Sequence, residues 1–133
     1  MATAEQRNHA KAFLKKAEEY LASAEDNLDL ERYTPAAGDA IHSGISAKDA
    51  IMTAITGSAS KAKDHATAAK DLGRALAKRP QAAAAERGLR ELIAAKSEVE
   101  YSIALIGSAK AEPLVRRARS LVNLAVEIVR LGR

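Results

Sequence analysis

The chain has no cysteine and no tryptophan, only three prolines and seven glycines in 133 residues, and aromatic residues make up 3% of it. Without cysteine there is no disulfide framework, no thiol nucleophile and no thiolate zinc site, and a reducing cytoplasmic setting is expected. The scarcity of aromatics leaves no stacking platform for single-stranded bases. Few turn residues beside abundant alanine argue against sandwiches and barrels and for closely spaced helices. No apolar run is long enough to cross a bilayer, and the stretch Met1 to Asn8 lacks the apolar segment of a signal peptide. Neither a Gly-rich phosphate loop nor a Gly-x-Ser-x-Gly elbow occurs.

What remains is length, charge and periodicity. A chain of this size fits one domain that buries roughly two thirds of its unfolded surface. The formal net charge is +4, unevenly spread: residues 1–60 carry 6 Lys/Arg against 9 Asp/Glu, and residues 61–133 carry 15 against 8. A basic second half marks either a phosphate-rich partner or a dipolar surface, and the dipolar surface is the simpler reading.

Ala10, Phe13, Leu14, Ala17, Leu21, Ala24 and Leu28 recur at helical spacing, with Glu18, Glu19, Glu25 and Asp26 on the polar stripe between them. Thr34-Pro35 supplies a cap and a first-turn proline for a second helix to Thr56, with Ala37, Ile41, Ile45, Ala47, Ile51 and Ile55 inward and Gly44 allowing a close approach. Gly57 stops it. A third helix is expected from Lys63 or Asp64 to Ala77, with Ala66, Ala69, Leu72 and Leu76 inward. A fourth is expected from Ala82 to Ile106, using Leu89, Leu92, Ile93, Val99, Ile103 and Ile106. A fifth, from Glu112-Pro113, carries Leu114, Val115, Ala118, Leu121, Val122, Ala125, Val126 and Val129, a stripe rich enough to be shared with a second subunit. The pattern predicts an all-α protein, a single five-helix up-and-down bundle over residues 1–133.

Tyr33-Thr34-Pro35-Ala36-Ala37, followed by Ala47-Lys48-Asp49-Ala50-Ile51, Gly57 and His65, resembles the second helix and its flanks in the HEPN family. Lys96-Ser97-Glu98-Val99-Glu100-Tyr101 resembles the Arg-x-x-Ala-Asp-Tyr motif of bacterial HEPN proteins, and Ala111-Glu112 through Ala118 to Leu121-Val122 is similar to the family's last helix. The resemblance spans roughly residues 8–130. It implies a homodimer and a protein partner, either a cognate toxin or antitoxin or a nucleotidyltransferase-type protein. Family ribonucleases carry an Arg followed after four to six residues by a His, the His serving as acid or base while the Arg stabilises the phosphorane. Arg87 is followed at that distance by Leu92, Ile93 and Ala94, and Arg90 by Ala95, Lys96 and Ser97. No catalytic residue is expected.

Asp39 and His42, three apart on a helix, have a spacing used by metal ligands, but no Glu-x-x-His element accompanies them, so neither a metal site nor a cofactor is expected. His9 and His65 read as a solvated residue and a helix-start residue. The polar cluster with a functional reading is Arg87, Arg90, Arg116, Arg117 and Arg119, with Lys78-Arg79 beside it. Arginines fork to phosphate oxygens and would bind RNA with strong salt dependence. Ordinary solvation of a basic face is the competing account. Two functions follow: a non-catalytic helical interaction protein, antitoxin-like or partnered in a defence system, or an RNA-binding or degenerate RNA-processing protein using the basic half. A metabolite pocket within the bundle is a third, with no ligand named by the sequence.

Overall fold

Thr3 opens the first helix. Its Oγ1 accepts from the Gln6 N–H at 3.1 Å while Gln6 Oε1 accepts from the Thr3 N–H at 2.8 Å, a reciprocal box that satisfies two donors the helix leaves orphaned. The computed structural model describes residues 3–59 and 65–133. It places α1 over Ala4–Asp29, α2 over Tyr33–Thr56, α3 over His65–Ala75, α4 over Ala82–Ala94, α5 over Lys96–Tyr101 and α6 over Ser108–Ala125, with a π-helical turn over Val126–Arg130 extending α6. No strand occurs among the described residues, and the expected all-α bundle is formed. Lys63, Asp64 and the side chain of Ala66 lie outside the described residues.

A three-residue link, with Glu31 in the left-handed region at φ 59°, turns α1 back along α2. α2 is the central helix and packs against every other element. Its small residues allow this. Ala36, Ala37, Ala40, Ala47 and Ala50 are fully buried beside Ile41 and Ile51. A Cβ on Gly44 would fall 2.4 Å from Leu92 Cδ1, so the close approach expected there is made by a leucine side chain of α4 rather than by a backbone. Gly57 ends α2 in the left-handed region at φ 90°, donating its N–H to Thr53 O at 2.9 Å.

Leu14, Ile41, Ile51, Leu72, Leu89, Leu92, Val115 and Leu121 belong to one continuous apolar core. The stripe on α6 is spent inside the chain: Leu114, Val115, Ala118, Leu121, Val122 and Ala125 are buried, and Val126 and Val129 are half-buried against the core. It does not remain free for another subunit.

Four expectations need correction. The fourth helix is interrupted at Ala95 and ends at Tyr101, not Ile106. Ser102 Oγ accepts from the Ala104 N–H at 2.8 Å, a local turn that competes with the helical ladder. Ile103, assigned inward, is therefore fully exposed, although Ile106 is buried. α6 begins a turn before Pro113, at Ser108 after an extended Gly107, because burial of Ala111 and an ion pair between Lys110 and Glu98 hold the extra turn. Thr34 is not a cap. Arg32 occupies the N-cap position without a side-chain bond, and Thr34 sits inside the first turn. Finally, Ile55 is exposed near the end of α2.

Candidate functional site

The five arginines singled out by the sequence lie on two neighbouring helices, but they do not form one basic face. Positions 117 and 119 differ by about 200° around an α-helix, and they turn to different neighbours. Arg117 Nε donates to Glu91 Oε2 on α4 at 2.6 Å. Arg119 donates from Nε and Nη2 to Glu25 Oε2 on α1, at 2.9 and 2.6 Å. Arg90 pairs one turn back with Glu86 at 2.7 Å. Arg87 and Arg116 are exposed and make no hydrogen bond or ion pair to any described residue. Three of the five guanidiniums are thus neutralised by carboxylates, which reduces the field a polyanion would meet.

The acidic stripe of α1 changes meaning for the same reason. Glu25 and Glu18, read as solvated, tie α1 to α6 and its π-helical extension. Arg130 bonds bidentately to Glu18 at 2.8 and 3.1 Å. That hydrogen bond, together with the Glu18 charge, raises the Arg130 pKa above its ordinary value. Because the charged guanidinium is the form favoured in the fold, the contribution is in place while Glu18 is ionised and fades as the pH rises into strongly alkaline conditions.

Asp39 and His42 also part company. Asp39 accepts from Ser23 Oγ at 2.6 Å and Asn27 Nδ2 at 3.1 Å, both on α1. His42 lies with Nε2 3.0 Å from Glu100 Oε1 on α5, and its ring centroid is 5.3 Å from that of Tyr20. Glu100 Oε1 is shielded from solvent and has no well-aligned hydrogen bond, although His42 Nε2 lies beside it. Among the described residues no three His, Asp or Glu converge as a metal site. His9 is exposed beside Glu5 at 3.9 Å.

The least expected surface follows α5. Tyr101 is 75% exposed, and Ile103 and Leu105 are 104% and 90% exposed. These three alternate along a segment that leaves the helix and runs without regular structure to Gly107. Its inner edge is satisfied: the Ala104 N–H donates to Ser102 Oγ and the Ile106 N–H donates to Thr34 Oγ1 at 3.0 Å. The N–H groups of Ile103 and Leu105 donate to no described residue. Sequence reasoning missed this surface because Val99, Ile103 and Ile106 continue the helical period; Ser102 and Gly107 are the signals that could have cut it short.

No family model, curated protein or solved structure matches the chain. No helix among the described residues is long and apolar enough to cross a membrane.

Proposed function

We propose that this protein is a non-catalytic helical interaction protein of HEPN type, an antitoxin-like or partner component of a toxin–antitoxin or defence system, which self-associates through residues 101–105. The observation that carries the association is the exposed row Tyr101, Ile103 and Leu105 beside unpaired backbone donors at Ile103 and Leu105. Unpaired donors beside exposed apolar side chains are a template for strand addition. A second copy suits it best. A two-fold axis through Ala104 sets Ile103 of each copy opposite Leu105 of the other, exchanging both backbone hydrogen bonds and packing the two apolar rows side by side. The motif resemblance, and the absence of a histidine after Arg87 and Arg90, support the non-catalytic assignment.

Sedimentation velocity at tens of micromolar tests the association. The wild type is expected to sediment as a dimer and Ile103→Asp/Leu105→Asp as a monomer of unchanged helicity; a wild-type monomer overturns the pairing. The RNA-binding alternative draws less support, since Arg90, Arg117 and Arg119 already hold carboxylates. RNA that co-purifies, and is lost from Arg87→Ala/Arg116→Ala but retained by the apolar double variant, would restore it.

A further inference from the structure

A cavity of about 510 Å³ opens between the start of α4 and the second half of α6, remote in sequence from the exposed segment. That volume lies in the range of small-molecule sites. Leu121 and Leu124 of α6 and Ala84 and Ala85 of α4 line it with apolar surface. One cation on its wall has no carboxylate partner among the described residues. Arg87 makes no ion pair to a described residue, and the reason is visible: Glu91, one turn along α4 and its ordinary helical partner, is held instead by Arg117 at 2.6 Å.

We infer that this cavity binds a small amphiphilic organic anion, its acidic group on Arg87 and its apolar body on Leu121 and Leu124. The Glu91 carboxylate, one turn along the same helix, is already held by Arg117, which leaves Arg87 as the lining cation without a carboxylate among the described residues and so the place for the charge. The inference is independent of the association proposed above.

The probe is 8-anilinonaphthalene-1-sulfonate, which combines a sulfonate, an N–H and two apolar ring systems, titrated by fluorescence and calorimetry against the whole chain. One saturable site is expected. Arg87→Gln should weaken it by about tenfold, the scale of one charge-assisted hydrogen bond. Ser120→Phe, placed at the exposed rim of the cavity, should weaken it at least as much while thermal unfolding stays cooperative. Naphthalene-1-sulfonate, which lacks the anilino ring, should bind several-fold more weakly than the anilino compound. Ile103→Asp is the control for dye adsorbed on the exposed segment and should leave the affinity unchanged. Absence of a saturable site, unchanged affinity in Arg87→Gln or in Ser120→Phe, or loss of the site in Ile103→Asp overturns the proposal. Equal binding of the two naphthalene compounds overturns the part assigned to Leu121 and Leu124.

Discussion

Thr34 Oγ1 accepts a hydrogen bond from the N–H of Ile106 at 3.0 Å, across 72 positions of sequence. One hydroxyl in the first turn of α2 thus fixes the far end of the segment that leaves α5. With Ile106 buried and Ile103 and Leu105 exposed, this bond sets which side of the segment faces out. A residue that reads as a helix cap is used to position an apolar surface.

Thr34→Val keeps the shape and removes the acceptor. The Ile106 N–H would then be left without its partner, at a cost of about 1 kcal/mol. Hydrogen exchange at the Ile106 amide should accelerate while the helical circular dichroism stays unchanged. Protection equal to the wild type would mean that another group holds the segment.

The arginines of α6 should separate by their partners. Arg119 bonds through two nitrogens to Glu25, so Arg119→Ala should cost about 0.5–1 kcal/mol, the upper range for a partly exposed pair. Arg116→Ala, which breaks no such pair, should fall within about 0.5 kcal/mol of the wild type. Urea unfolding at low salt measures both, and the difference should shrink in 1 M sodium chloride as the pair is screened. Equal effects would show that charge count, not pairing, governs this face.

The parts of the fold legible in the sequence are those set by local period. Leu14, Ile41, Ile51, Leu72, Leu89 and Val115 fall inward where a 3.6-residue repeat places them. The end of the fourth helix was not legible, because Ile103 and Ile106 prolong the repeat while Ser102 and the distant Thr34 capture the backbone donors that would continue it. The arginine cluster misleads for a related reason. Glu25 stands 94 positions from Arg119 and Glu91 stands 26 from Arg117, separations at which spacing carries no information about contact. The cavity depends on how α4 and α6 are spaced, which no single residue encodes.

Two glycines on facing helices should respond oppositely to alanine. At Gly44 a Cβ would meet Leu92 Cδ1 at 2.4 Å and Leu121 Cδ1 at 3.5 Å, and Leu92 is fully buried. Overpacking should outweigh the gain in helix propensity and cost about 1–2 kcal/mol. At Gly88 the nearest atom is Arg117 Cδ at 3.6 Å, an ordinary contact. Gly88→Ala should therefore stabilise by about 0.5–1 kcal/mol. Thermal or urea unfolding of the two variants decides; a stabilised Gly44→Ala would mean that α2 and α4 separate more readily than their packing implies.

Lys48 is the buried cation of α2. Its side chain is 9% exposed, and Nζ lies 2.6 Å from Oδ1 of Asp49, itself 21% exposed. A charge held this far from water needs its counterion, so removing one partner differs from removing the charge. Asp49→Asn leaves the ammonium with a weak neutral acceptor and should cost about 3 kcal/mol, the scale for breaking a buried pair. Lys48→Met keeps most of the apolar stem and removes the desolvated charge, and the remaining carboxylate is the more exposed partner. Its cost should be smaller, within about 1 kcal/mol of the wild type. The double variant should then resemble Lys48→Met alone, because Asp49 has no charge left to compensate; a strictly additive cycle in urea unfolding would mean that the two groups act separately.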